Sequence, residues 1–270
     1  MLKNSKLDYL FKVTKPTKTI YMLLPLLGSF LVGNLLTPNL GYIVVHTIVF
    51  GIFYGGIYIL NDLIDYQYDK KDPIKKERMI SSGKITITEG ILMTILLMGF
   101  GLGVSYYTNI RMFWCLLILV LINIIYDVFT KKFPYIDSFW IGSTAILKIA
   151  VGMVLLNPIS ILREYTLFFI MIYLLGSSLG LEKKIRELHK GQKRHFYLGK
   201  YTFKGIDFVQ KAVLGIMIIL LPLSNKTDLI LNILLVLIYA TWLYIVKKSD
   251  IKNHIYEFGE NFSQGYVKDV

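Results

Sequence analysis

Eight apolar runs separated by short polar segments set the terms for this chain: Ile20 to Leu36, Tyr42 to Leu60, Ile91 to Tyr107, Met112 to Tyr126, Phe139 to Leu156, Tyr165 to Leu181, Ile206 to Leu223 and Leu229 to Val246. A membrane-crossing helix takes about 20 mostly apolar residues, so eight use about 160 positions and leave about 110 for loops and tails. A mean hydropathy of +0.55 and a charged fraction of 18% fit that division, exclude a disordered chain and argue against an ordinary soluble domain. Several runs are short for a perpendicular crossing, so flanking Tyr, Trp and Lys are expected to carry them into the interface. The expected fold is an all-α membrane bundle, one domain over residues 1–270, with about eight spans and a ninth left open. The single cysteine, Cys115, lies in an apolar run, which excludes an intrachain disulfide and a cysteine-based metal site.

Lys3, Lys6, Lys12, Lys15 and Lys18 precede the first run and resemble the basic start of a signal peptide, but no small-residue cleavage pattern follows, so the run reads as a retained span. An even number of spans puts both termini on one side. Every lysine and arginine except Arg111, Lys148, Arg163 and Lys226 then falls on that same face. The positive-inside rule makes this face cytoplasmic in a plasma membrane. The net charge of +12 is therefore a property of one surface, suited to anionic lipid headgroups or a phosphorylated substrate, with no nucleic-acid partner expected.

Chemistry is expected in the polar loops on that face, at about 61–90, 126–138 and 182–205. The first holds Asn61, Asp62, Asp65, Asp69 and Asp72, whose spacing places them on one face of a helix that continues past the interface. Stacked like charges repel, and a divalent cation cancels the penalty. Hard oxygen donors suit Mg²⁺, which binds one or two carboxylates together with substrate phosphates. Asp62 and Asp69 are about 10 Å apart along a helix, so neighbouring pairs are expected to share one or two ions through a bridging diphosphate. The bland alternative is a solvated acidic helix end. Lys75, Lys76 and Arg78 follow within ten residues, beside a Ser81-Ser82-Gly83 turn, and suit the outer phosphate oxygens.

The second loop carries Asp127, Lys131, Lys132 and Asp137, and Lys148 lies about three turns into the next run. A lysine at that depth faces a polar cavity, pairs with an anion or snorkels to the interface. The third loop, from Glu182 to His195, is basic and contains Lys183, Lys184, Arg186 and Glu187. An amphipathic helix on lipid headgroups is its bland reading. His189 and His195 lack metal-ligand spacing, His46 reads as an interhelical hydrogen-bonding residue, and Gly51, Gly55, Gly99, Gly101 and Gly103 read as helix-packing positions.

These residues resemble the UbiA superfamily of intramembrane prenyltransferases. Asn61-Asp62-xx-Asp65-xxx-Asp69 matches its first aspartate-rich motif in the expected place. Standard members carry a second aspartate-rich motif after span 6, which binds another Mg²⁺ on an allylic diphosphate. Here that position is similar instead to the Lys-Arg-xx-Glu-Leu element of the decaprenyl-phosphate phosphoribosyltransferase branch, read as Lys183-Lys184-Ile185-Arg186-Glu187-Leu188. Asp72-Pro73-Ile74-Lys75-Lys76-Glu77-Arg78-Met79-Ile80-Ser81-Ser82-Gly83 resembles the branch's first loop. Tyr126, Lys131, Pro134 and Asp137 match its second, and Lys148 with Gly152 stands where it has Arg and Gly. Lys184 and Lys148 depart from its arginines and Met79 from its turn proline.

The resemblance implies Mg²⁺-dependent transfer of 5-phosphoribose from phosphoribosyl diphosphate to a polyprenyl phosphate. Asn61, Asp62, Asp65 and Asp69 would hold the metal. Lys75, Lys76, Arg78, Tyr126, Lys131, Asp137, Lys148, Lys183, Lys184, Arg186 and Glu187 would bind substrates. One carboxylate cluster with abundant cations suits three phosphate-bearing groups better than a lone prenyl diphosphate. The nearest rival is a prenyltransferase acting on an aromatic or other lipid acceptor. A transporter or lipid-binding protein is the rival of another class, and clustering of charge on one face argues against it. A homo-oligomer is left open.

Overall fold

The computed structural model describes residues 5–15, 23–32, 39–72, 75–156, 160–189, 201–225 and 228–247. They form α1 (Lys6–Val13), α2 (Leu23–Val32), α3 (Leu40–Asp69), α4 (Ile87–Thr108), α5 (Ile110–Val128), α6 (Ile136–Leu156), α7 (Ile161–Glu164), α8 (Thr166–His189), α9 (Phe203–Leu220) and α10 (Leu229–Lys247). Six of these are long and apolar enough to cross a bilayer, α2 is a shorter apolar helix, and α10 is apolar over Leu229–Ile245. No strand occurs among the described residues.

Local sequence sets where the helices start and stop. Thr86 and Glu89 form a reciprocal capping box that opens α4. Asn109 ends α4 and caps α5 by accepting the Met112 N–H at 3.0 Å, so the two spans join through one residue. With 30 residues, α3 is about 45 Å long, well beyond the roughly 30 Å hydrocarbon core. The second apolar run therefore continues as the same helix through Asn61 to Asp69. It stops before Asp72, which lies in the following turn and accepts the Lys75 N–H at 3.0 Å. Asp72 does not share the helical face expected of it.

Packing pairs α3 with α4, α6 with α8, and α2 with α6 most extensively. One core cluster joins Phe50, Phe53 and Ile57 of α3 to Leu116 and Leu119 of α5 and Val151 and Val154 of α6. Another joins Met171, Met217 and Tyr239 of α8, α9 and α10. Leu92, Ile95, Leu96, Ile219, Leu237 and Ile238 stay exposed, as they must where the solvent is lipid. His46 links α3 to α4 through Nε2 and the Thr108 hydroxyl at 2.8 Å. Cys115 is buried and free.

Of the glycines in the third run, only Gly101 meets a neighbour, Phe53; Gly99 and Gly103 face open space and do not serve the packing role expected of them. The closest helix approach lies elsewhere. A Cβ on Gly28 would collide with the Ile149 carbonyl, one on Gly152 would collide with the Pro25 carbonyl, and the Ser29 hydroxyl donates to the Gly152 carbonyl at 2.9 Å. Gly152→Val should therefore cost about 1–3 kcal/mol by overpacking. Thermal unfolding in detergent would show a lower midpoint for this variant, against an unchanged one for Gly103→Ala.

Candidate active site

The last turns of α3 direct Asp62, Asp65 and Asp69 inward, and all three are buried. Carboxylates at such positions need cations, and three separate segments bring them. Lys15, just after α1, places Nζ 2.6 Å from Asp62. Arg78, behind the Lys75–Glu77 3-10 turn, bridges two turns of α3 through Nη1, at 2.8 Å from Asp62 and 2.6 Å from Asp69. Lys131, beyond α5, lies 2.8 Å from Asp65 and 2.6 Å from Asp127. Asn61 completes the web by donating to Asp127 at 3.0 Å.

A second group lies where α6 meets α8. Asp137 takes Lys184 Nζ at 2.9 Å and the Tyr201 hydroxyl, which also accepts the Tyr135 N–H at 2.9 Å. Tyr126 sits between the two groups, within electrostatic reach of Lys184, Lys131, Asp137 and Asp127. Deeper in the bundle, Lys148 is buried with Nζ 4.6 Å from the centre of the Tyr54 ring. A cation over an aromatic face offsets part of its desolvation.

Electrostatics at the site follow from burial working against opposite charge. Burial pulls the Lys15 ammonium down to about 8, against the attraction of Asp62. Burial also works against the Arg78 guanidinium, but Asp62, Asp69 and Asp65 outweigh it and hold the group above its ordinary value. Burial, then Asp137, raises the Tyr201 phenol. The non-glycine residues described with positive φ are Lys15 at 55° and Tyr135 at 67°, and both belong to these webs. Such backbone costs on the order of 1–3 kcal/mol and persists where surrounding contacts impose it.

The structure thus brings Asn61, Asp62, Asp65, Asp69, Arg78 and Lys131 into one web, with Asp137 and Lys184 in an adjoining one and Tyr126 between. Lys75 is half-buried, while Lys76 and Lys183 are exposed. The Arg186 and Glu187 side chains lie outside the described residues, although their backbone continues α8, and so do residues 190–200. Sequence alone does not mark Lys15 as part of the site, because it stands among tail lysines that membrane orientation explains. Its only signal is its place at the entrance to the first apolar run, directly before Pro16.

Among the described residues, no three carboxylates or histidines converge tightly enough to hold an ion alone. The donor set suits Mg²⁺ in another way: buried carboxylates one helical turn apart each offer oxygens to an ion whose remaining ligands are phosphates and water.

A family model described as the UbiA prenyltransferase family matches residues 22–254. The chain belongs to that family. UbiA membership makes it an integral membrane transferase. Digeranylgeranylglyceryl phosphate synthase of Saccharolobus solfataricus is 26% identical over 231 residues, covering 83% of this chain and 81% of that protein. The chain spans only about a quarter of another relative, the uncharacterized protein y4nM of Sinorhizobium fredii, at 26% identity over 137 residues, 51% of this chain and 26% of that one. A solved UbiA homolog from Archaeoglobus fulgidus, bound to DMAPP and Mg²⁺, superposes with a TM-score of 0.70 over 95% of this chain and 97% of that one, at 15% identity. That likeness concerns the fold alone.

Proposed function

We propose that this UbiA-family transferase moves 5-phosphoribose from phosphoribosyl diphosphate to a polyprenyl phosphate at the cytoplasmic face of the plasma membrane, releasing diphosphate. The observation carrying this reading is that α8 contributes a buried lysine, Lys184, beside Asp137, at the position where the resemblance to standard members implies a second carboxylate cluster. With Lys15, Arg78 and Lys131, cations then reach the site from four parts of the chain, an inventory suited to several phosphate groups.

In this reading Asp62, Asp65 and Asp69, with Asn61 beside them, hold Mg²⁺, which when bound neutralises charge on the departing diphosphate. Arg78 and Lys15 turn from their carboxylates toward diphosphate oxygens, and Lys184 and Lys131 hold the remaining phosphates. Lys75, Lys76 and Lys183 extend the cationic rim, with Arg186 assigned to phosphate and Glu187 to orienting these cations or contacting ribose. The acceptor phosphate is already anionic when it attacks the anomeric carbon, so no strong general base is needed. Tyr126 and Asp137 keep Lys131 and Lys184 in place, and Lys148 faces the acceptor from below.

A second reading, prenyl transfer to a phosphate-bearing lipid, is favoured by the match to digeranylgeranylglyceryl phosphate synthase over most of both chains. Incubating purified protein with labelled phosphoribosyl diphosphate or labelled prenyl diphosphate separates the two. Lipid-extractable label from the first supports the proposal, and label only from the second replaces it.

Within the phosphoribosyl reading, Lys184→Ala removes a charge-assisted contact of about 1.5–3 kcal/mol and should lower catalytic efficiency about ten- to a hundredfold, while Lys184→Arg is tolerated. For orientation, cysteines at Ser5 and Ser263 should resist an impermeant thiol reagent in intact cells and one at Asn225 should react. Labelling of either tail from outside would invert the assignment.

A further inference from the structure

The helix α1 has an apolar arc wider than its contact with the protein. At 3.6 residues per turn, Val13, Leu10, Leu7 and Phe11 follow one another around an arc of about 160° that Lys6 enters only on the half facing the protein. Half of that arc is used: Val13 is 1% exposed, and with Leu10 it packs on Ile59, Met79, Ile80 and Ile85. The other half is open, with Leu7 65% and Phe11 63% exposed. Asp8 and Lys12 pair at 2.9 Å on the remaining polar face.

Depth is fixed by what α1 touches. Lys6 donates to the Lys84 carbonyl at 3.2 Å and to Glu89 at 2.7 Å, at the mouth of the α4 span, and Lys15 beyond its other end reaches Asp62. The helix thus lies where α3 and α4 pass from apolar to charged sequence, the level of lipid headgroups. We infer that α1 is a docking surface for the anionic lipid leaflet: Leu7 and Phe11 enter the acyl boundary, and the polar face, with Lys12, meets the headgroups. The leaflet then clamps the segment that delivers Lys15 to Asp62. This inference holds for either donor.

The full-length protein in phosphatidylcholine vesicles, with and without phosphatidylglycerol, tests it. An environment-sensitive fluorophore on Phe11→Cys, in a Cys115→Ala background, should be quenched several-fold more by a lipid-borne quencher near the top of the acyl chain than one on Asp8→Cys, and more strongly with phosphatidylglycerol present. Equal, weak quenching at both positions would overturn the inference, and no response to phosphatidylglycerol would overturn its headgroup component. In vesicles presenting this face outward, trypsin should cut after Lys12 several-fold faster in the Leu7→Ser/Phe11→Ser variant than in the native chain. Equal rates would count against docking. Protection that persists in lipid-free detergent and grows with protein concentration would assign the face to a second copy instead.

Discussion

Replacing Asp62, Asp65 or Asp69 singly by Asn should lower turnover by a hundredfold or more, while the protein remains folded in the membrane. Each substitution keeps the shape of the side chain but removes the charge that holds a divalent ion. Metal stabilisation of a departing diphosphate is worth several kcal/mol, and about 3 kcal/mol is already a factor above one hundred. Chelating Mg²⁺ should produce a loss of the same order in the native enzyme and little further loss in the variants. Near-native turnover in all three variants, or indifference to chelation, would remove the carboxylates from the chemistry.

Arg78→Ala should damage stability as well as activity. Its guanidinium reaches both Asp62 and Asp69, across two turns of one helix. Removing it takes one cation from each of two buried carboxylates, although Asp62 keeps Lys15, and the cost of breaking a buried pair reaches about 3–5 kcal/mol. The distinguishing readout is the response to metal. Because a ligand that binds only the folded state stabilises it, Mg²⁺ should raise the unfolding midpoint of Arg78→Ala more than that of the native protein, by supplying the charge that the two carboxylates have lost. Arg78→Lys should fall between them, since one ammonium does not span both carboxylates as the planar group does. An equal Mg²⁺ response in all three proteins would argue that the ion binds elsewhere.

The bundle was legible in sequence because lipid imposes a simple rule: backbone polar groups must be satisfied within the segment, so long apolar runs become helices. The spacing of Asn61, Asp62, Asp65 and Asp69 likewise told which side chains share a face, because the helix continues through them. It failed at Asp72, where the chain turns, a change that carboxylate spacing does not register. Lys15 was hidden for another reason. Its φ of 55° and its approach to Asp62 are tertiary facts, imposed by the packing of Val13 on the α3 end, and its composition matched the other tail lysines. The glycines show the same limit: Gly101 and Gly103 look alike in sequence, but only one faces Phe53.

The pairing of charges at the site bears on how reactants arrive. Among the described residues, the five carboxylates of Asp62, Asp65, Asp69, Asp127 and Asp137 meet the four cations of Lys15, Arg78, Lys131 and Lys184, so these paired groups leave the site within about one charge of neutral. A bare metal ion entering it must displace lysine or arginine and leave that cation stranded, and a bare diphosphate does the same to a carboxylate. A metal–diphosphate complex offers both signs at once, so the internal pairs exchange partners without any charge being left alone in a low-dielectric interior. In the proposed reaction, loading would thus be a swap of salt bridges, with metal and diphosphate entering as one.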